Sequence, residues 1–185
     1  MDKQEIFPDG TVIDKWFYDI NIPELSDLGK QYVLTDNNVL DDGKIHTKEI
    51  QNLIDRAYEK GMTIILNPSP YDKGLEKCDL SKVSLFLVNE IEGYQITGEK
   101  EPDKILSRIK EIYPDARVVL TLGGDGSVFQ DHTGIYRQGI YKVKAVDTTA
   151  AGDTFTGYFI SSLIDGLPVE EGLKLAAKAS AIAVS

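Results

Sequence analysis

The 185-residue chain is poor in cysteine and in positive charge, and it has no long hydrophobic run. Cys78 is the single cysteine, which excludes a disulfide within the chain and is typical of a reducing compartment. No apolar stretch approaches the length of a membrane span, and the first five residues are too polar for a signal peptide. We therefore expect a cytoplasmic protein with no membrane association.

Positive charge is scarce, because 20 lysine and arginine residues face 30 aspartate and glutamate residues, for a net charge of -10. This balance disfavours non-specific binding to nucleic acids and to anionic membranes. Phosphate ligands are still compatible with it, since backbone amides and a metal ion can supply positive potential locally. Small-molecule partners are thus expected rather than nucleic acid.

The length and the 42% hydrophobic content are typical of one globular domain, and no repeat, linker or low-complexity tract divides residues 1–185. Residues 1–29 have apolar side chains able to pack, but their pattern predicts no particular fold. From residue 30 onward, strand-like and helix-like segments alternate.

Predicted strands lie at residues 32–35, 62–66, 83–88, 118–121, 127–130 and 141–146. Predicted helices lie at 47–59, with Thr47 as a possible cap, at 90–96, at 102–113, and from about Gly152 and Val169. This alternation predicts an α/β fold with a mostly parallel sheet between helices on both faces.

Small and polar residues follow the predicted strands. Asn67, Asn89, Gly123 and Asp147 each come directly after one. Ligands of such folds bind beyond the carboxyl ends of the strands, so one site could gather all four.

Residues 147–157 (DTTAAGDTFTG) are the most informative stretch. Small residues open a predicted helix there, and the N–H groups and positive dipole end of a helix bind anions. Asp153 lies where it could take a proton from a hydroxyl that attacks a bound phosphate, an arrangement suited to phosphoryl transfer. The plainer alternative is a first-turn carboxylate on an ordinary helix, with Asp147 or Thr148 as its N-cap.

Three further motifs have plain structural readings when each is taken alone. Residues 67–70 (NPSP) are a loop. Asn89 could cap the following helix with Glu92 as a first-turn carboxylate. Residues 123–126 (GGDG) could be a bare hairpin turn. Their joint occurrence with residues 147–157 favours a common site.

These motifs together, in this order and at these separations, resemble the ribokinase family of sugar kinases, the PfkB type. The resemblance covers about residues 31–185. It implies a three-layer α/β/α, Rossmann-like fold, with ATP as co-substrate, Mg²⁺ and possible use of K⁺. The double threonine and double alanine before Gly152 look more like ribokinases than fructokinases.

The resemblance also implies roles for individual residues. Asp153 matches the catalytic base, and the amides of Ala150, Ala151, Gly152 and Asp153 match the anion hole. Asn89 and Glu92 match the motif that organises magnesium, water and phosphates. Thr121, Gly123 and Gly126 match the nucleotide-binding loop. Asp147 and the carbonyl of Thr149 match half of a monovalent-cation site.

The sequence departs from the family pattern at both ends. Members of the family are longer, with an N-terminal sugar-binding region, a lid of β-strands, and a loop beyond the position of Ser185. We therefore expect the C-terminal catalytic and nucleotide-binding part of a ribokinase-like domain, incomplete at both ends. Exposed sheet edges and apolar surface would then favour self-association or marginal stability.

Several functions follow as hypotheses. The first is phosphorylation of D-ribose to ribose 5-phosphate by ATP, or a catalytic fragment of that activity. The alternatives are a non-catalytic nucleotide-binding module and a PfkB-type kinase for another sugar or a nucleoside. Residues 123–126 also resemble a short motif of NAD kinases and lipid kinases, but that match is weak and those enzymes lack the string at residues 147–157.

Overall fold

A computed structural model describes residues 46–185. The helices are α1 (Thr47–Glu59), α2 (Glu90–Thr97), α3 (Pro102–Ile112), α4 (Ala151–Ile164) and α5 (Val169–Ala183). The strands are β1 (Ile65–Leu66), β2 (Leu85–Asn89), β3 (Arg117–Thr121), β4 (Ser127–Gln130) and β5 (Ile135–Gln138). Short 3-10 turns occupy Lys73–Lys77 and Gly123–Asp125.

The five described strands form one sheet in the order β1-β2-β3-β4-β5. Strands β1, β2 and β3 are parallel, and Asn89 at the end of β2 pairs with Thr121 at the end of β3. Strands β4 and β5 continue the sheet as antiparallel neighbours. The carboxyl ends of β2 and β3 therefore lie side by side at one edge of the sheet.

Alternate residues of the strands pack into two separate hydrophobic cores, because successive strand side chains point to opposite faces. Phe86 and Val118 contribute to the core that contains Ile105 and Ile109 of α3. The opposite face carries a second core: Leu85, Leu87, Val119 and Phe129 from the strands, with Phe155 and Phe159 of α4 and Leu173 and Ala176 of α5. The α/β/α three-layer fold expected from the sequence is thus confirmed.

The strand predicted at residues 141–146 is wrong. The chain instead turns at Asp131, whose carboxylate accepts hydrogen bonds from the backbone N–H groups of Thr133 and Gly134. Strand β5 then pairs with β4, and residues 139–146 form no strand. Antiparallel pairing with an existing strand outweighs the β-propensity of the valines farther along.

Two smaller predictions also need correction. The strand predicted at 62–66 is reduced to Ile65–Leu66, and neither residue is fully buried. Thr47 is the first residue of α1 rather than its cap: the N-cap is His46, and no side chain caps the helix. The strand predicted at residues 32–35 lies outside the described residues, as do residues 1–29.

Cys78 is a packed thiol, 9% exposed, and burial raises its pKa. Within residues 46–185, no helix combines the length and the apolar character needed to cross a membrane.

Candidate functional site

A small open cleft of about 70 Å³ lies where the carboxyl ends of β2 and β3 meet the first turn of α4. Five of the residues to which the family resemblance assigned a role line it: Asn89, Glu92, Thr121, Gly152 and Asp153. They come from three separate segments of the chain, so the fold brings them together. Loop residues Asn67 and Ser69 line the same cleft.

The N-terminus of α4 has no side-chain cap. Neither Asp147 nor Thr148 caps it, contrary to the plainer reading of the sequence. Its N-cap is Ala150, which adopts the left-handed conformation with φ 61°. An alanine in that region costs roughly 1–2 kcal/mol, so the surrounding structure must hold it there.

The backbone of this first turn leaves donors available. The N–H of Ala151 reaches the carbonyl of Thr148 at 3.3 Å, and the N–H of Thr154 donates to Ala150 at 2.9 Å. Within residues 46–185, the N–H groups of Gly152 and Asp153 have no acceptor. Two adjacent free donors at the positive end of a helix suit an anion.

Gly152 and Asp153 are both exposed on the cleft. A side chain added at Gly152 would meet no atom within 4 Å, so the glycine is not needed for packing. Its absence of a side chain instead lets a ligand approach the backbone. The Asp153 carboxylate lies in the same first turn, within one residue of the free donors.

Thr156 also lines the cleft, four residues after Gly152 on the same helical face. Sequence reasoning assigned it no role, although it lies within the informative string. The helical spacing of Gly152, Asp153 and Thr156 was the signal available for it.

The N-terminus of α2 is closed by a capping box. The side-chain oxygen of Asn89 accepts a hydrogen bond from the Glu92 N–H at 2.9 Å, and Glu92 Oε2 accepts one from the Asn89 N–H at 3.0 Å. Glu92 is only 4% exposed, although it lines the cleft. The cap expected as the plain alternative therefore exists, and it fixes both side chains at the cleft edge.

The turn between β3 and β4 contributes Thr121 to the cleft, whereas Gly123 and Gly126 are not among its lining residues. The turn closes on itself, since the Leu122 N–H donates to the Gly126 carbonyl at 2.8 Å. Gly126 has φ +96°, and a side chain there would overlap the carbonyl oxygen of Gln138. A glycine is thus required at this position by the positive φ and by the close approach of Gln138 at the end of β5.

Asp147 and Thr149 lie outside the cleft lining, next to the end of α5. The Val184 carbonyl accepts hydrogen bonds from the N–H groups of Val146 and Asp147, at 2.7 and 3.4 Å. Asp147 Oδ1 accepts one from the Thr149 N–H at 2.8 Å. Hydrogen bonds from the Thr149 side chain and backbone lower the pKa of Asp147, so this carboxylate stays charged.

The donor set of the described residues fits a magnesium ion shared with phosphates. No group of three or more histidine, cysteine, aspartate or glutamate side chains gathers within residues 46–185. Glu92 supplies one carboxylate at the cleft. Mg²⁺ commonly binds through one or two carboxylates, waters and substrate phosphates rather than in a cage of protein ligands.

Comparison with known proteins agrees with the motifs. The sequence model described as pfkB family carbohydrate kinase matches residues 33–185. A ribokinase of Schizosaccharomyces pombe is 30% identical over 163 residues, which is 84% of this chain and 51% of the relative. A cytidine kinase of Thermococcus kodakarensis is 31% identical over 140 residues, or 71% of this chain and 49% of the relative.

Solved structures show the same likeness. The Arabidopsis thaliana ribokinase complexed with ribose and ATP superposes with a TM-score of 0.62 at 25% identity, over 74% of this chain and 46% of that one. The chain spans about half the length of the curated relatives described above.

Proposed function

Because this chain belongs to the pfkB family of carbohydrate kinases, we propose that it carries the phosphoryl-transfer centre of an ATP-dependent sugar kinase. The observation that carries the proposal is the uncapped N-terminus of α4, whose free Gly152 and Asp153 N–H groups lie beside the Asp153 carboxylate in one cleft. An anion site with an adjacent base is what in-line phosphoryl transfer requires.

In the proposed mechanism, the Asp153 carboxylate accepts the proton of the attacking sugar hydroxyl as that oxygen attacks the γ-phosphate of ATP. The N–H groups of Gly152 and Asp153 donate to the oxygens of the transferred phosphoryl group and stabilise its charge. The amides of Ala150 and Ala151 belong to the same proposed anion hole. ADP leaves, and the product is the phosphate ester of the sugar.

The remaining residues are proposed to hold the nucleotide and the ions. Thr121, Gly123, Gly126 and Asn89 would contact ATP. Glu92 would hold Mg²⁺, directly or through water, and that ion would neutralise charge on the β- and γ-phosphates. Asp147 and the Thr149 carbonyl would hold K⁺, next to the cleft rather than in it.

D-ribose is the proposed acceptor, with ribose 5-phosphate as the product. Its support is the ribokinase of Schizosaccharomyces pombe and the Arabidopsis thaliana enzyme bound to ribose and ATP. The cytidine kinase among the relatives makes a nucleoside the first alternative acceptor. Both acceptors present the primary hydroxyl of a ribose unit, so the same base could serve either.

The test is ADP release from Mg-ATP in potassium buffer, with D-ribose, with cytidine and without acceptor. Asp153→Asn removes the base, and we expect ribose-dependent turnover to fall by about 10²–10⁴-fold. Asp165→Asn is the matched control, because Asp165 is an exposed carboxylate at the other end of the same helix.

Equal activity of Asp153→Asn and the unchanged protein would refute the proposed base. Mg-ATP binding without turnover on either acceptor would instead support a nucleotide-binding module, the second hypothesis drawn from the sequence. Turnover on cytidine alone would retain the mechanism and replace the acceptor.

A further inference from the structure

A second cavity, of about 170 Å³, lies behind the loop that supplies Asn67 and Ser69 to the cleft. The two cavities use alternate residues of that loop. Asn67 and Ser69 are exposed and line the cleft, whereas Pro68 between them is buried and lines the second cavity. An occupant that fills the second cavity as far as Pro68 would therefore contact a residue that lies between Asn67 and Ser69 in the loop.

Most of the residues that line this cavity are apolar, and several of them are packed in the protein interior. Phe86 and Tyr113 stack with ring centroids 4.8 Å apart and an interplanar angle of 26°. Leu75 and Leu80 are 8% and 6% exposed, so they belong to the protein interior. An apolar cavity of about 150 Å³ lined by leucine, isoleucine and phenylalanine can hold a benzene molecule, so a space of this size has room for a single ring.

One side of the cavity is polar. The Tyr71 hydroxyl donates to Glu76 Oε1 across 3.4 Å, which is long for an O–H···O bond. Burial, followed by the nearby Glu76 charge, raises the pKa of Tyr71 to about 12, so its phenol is neutral at physiological pH. Glu76 is exposed and retains acceptor capacity for a second donor.

We propose that this cavity binds an uncharged single-ring aromatic molecule with one hydroxyl, and that the occupant alters the cleft through Pro68. The ring packs against Phe86 and Tyr113, and its hydroxyl donates to Glu76. An aromatic carboxylate is excluded, because its charge would lie beside Glu76 in an apolar cavity. This inference does not depend on the proposed kinase activity.

The experiment uses the full chain labelled for NMR, with phenol as the probe and benzene and benzoate as comparators. Millimolar phenol should shift the Ile96 methyl signal saturably, because Ile96 lines the cavity. The Asn67 and Ser69 amide signals should shift with the same saturation curve. Benzene should bind more weakly, because it cannot donate to Glu76, and benzoate should not bind.

Ile112→Trp tests the location. Ile112 lines the cavity but is 40% exposed, so a larger side chain there should obstruct the cavity without disturbing its buried walls. We expect phenol affinity to fall at least tenfold. Ile164→Trp is the matched control, since Ile164 is 79% exposed on α4 and does not line this cavity.

Tyr71→Phe tests the polar contact. It removes the hydroxyl that occupies Glu76, so phenol should bind severalfold more tightly while benzene affinity stays unchanged. Absence of any saturable shift of the Ile96 signal would overturn the site. A shift at Ile96 with none at Asn67 or Ser69 would overturn the coupling to the cleft. Equal affinities for phenol and benzoate would overturn the proposed ligand class.

Discussion

Two helices begin at the cleft, and their N-termini differ in how they use their backbone donors. Helix α2 starts with a reciprocal capping box, in which Asn89 and Glu92 satisfy each other's backbone N–H groups. Helix α4 follows Ala150, an N-cap residue without a side-chain cap, and the N–H groups of Gly152 and Asp153 have no protein acceptor within residues 46–185.

The difference separates a helix end whose donors are satisfied by side chains from one whose donors are left available. Capping contributes about 0.5–2 kcal/mol, so a helix that omits it gives up stability. Under the proposed function, an anionic ligand would supply the missing acceptor at α4, and the positive end of the helix dipole would favour it. At α2 the capping box already occupies the backbone N–H groups of Asn89 and Glu92, so only side chains at this helix end remain available to contact a ligand.

Among the tests of this comparison between the two helix ends, the largest expected effect comes from placing a carboxylate at the start of α4. Gly152→Asp places a carboxylate in the first turn, where a side chain meets no other atom. We expect affinity for Mg-ATP to fall at least tenfold, about 1.4 kcal/mol, because the new charge occupies the donors and repels phosphate. Calorimetric titration with Mg-ATP measures the change.

Gly157→Asp is the control for that substitution. Gly157 is exposed on the same helix, also with open space around it, but it does not line the cleft. It should leave the affinity within about twofold, since the dipole effect is confined to the first turn. Equal losses in the two variants would show that α4 binds phosphate elsewhere or not at all.

The second effect belongs to the capped helix. Asn89→Ala removes the cap and leaves the Glu92 N–H unpaired, so we expect the free energy of unfolding to fall by about 1 kcal/mol. The matched change at α4, Thr148→Ala, should stay within about 0.5 kcal/mol, because Thr148 caps nothing. Urea denaturation of both variants makes the comparison. Equal losses would mean that α4 has a cap after all.

These two helix ends also mark how far the sequence could predict the site. The Asn89 and Glu92 spacing is a local signal, and the capping box follows from four consecutive residues. Nothing local predicts a left-handed Ala150, because alanine favours the right-handed helix and only the surrounding structure holds it there. The anion site was therefore inferred from small residues and resemblance rather than from its actual backbone geometry.

The same distinction applies to the fold. Strands β2, β3 and β4 and all five described helices were predicted from the sequence, to within one or two residues at most of their ends, but apolar periodicity supported only α1 and α3 among the helices. Strand β5 does not, because its residues Ile135–Gln138 are mostly exposed or half-buried and depend on β4 for pairing. Local β-propensity favoured a strand at residues 141–146. The strand forms at Ile135–Gln138 instead, where the residues pair with β4.

A third, smaller effect tests the strain at Ala150. Ala150→Gly removes an unfavourable φ of 61° but adds freedom to the unfolded chain, so we expect a net gain of about 0.5 kcal/mol. Ala151→Gly, one residue into the helix, should have the opposite sign, with a loss of up to about 1 kcal/mol. Thermal unfolding of Ala150→Gly and Ala151→Gly measures the two changes in stability and shows whether their signs differ. A loss at both positions would mean that Ala150 is not strained.

The smallest effect concerns Asp147, just before the uncapped helix. Its folded-state pKa is held below the ordinary 3.8, first by the Thr149 side chain and then by the Thr149 backbone N–H. Because the depressed pKa belongs to the folded state, the stabilisation is present above about pH 4 and is lost as the pH falls through the folded pKa. Thr149→Val removes the hydroxyl donor but keeps the backbone one.

The variant should therefore raise the Asp147 pKa only part of the way to 3.8, as carboxyl-carbon NMR titration can measure. The Asp131 carboxylate, held by Thr133 and Gly134, should titrate as before and gives an internal reference. An unchanged Asp147 pKa would mean that the backbone N–H alone holds the carboxylate. The Thr149 hydroxyl would then be available to donate to a ligand, as the N–H groups of Gly152 and Asp153 at the start of α4 are.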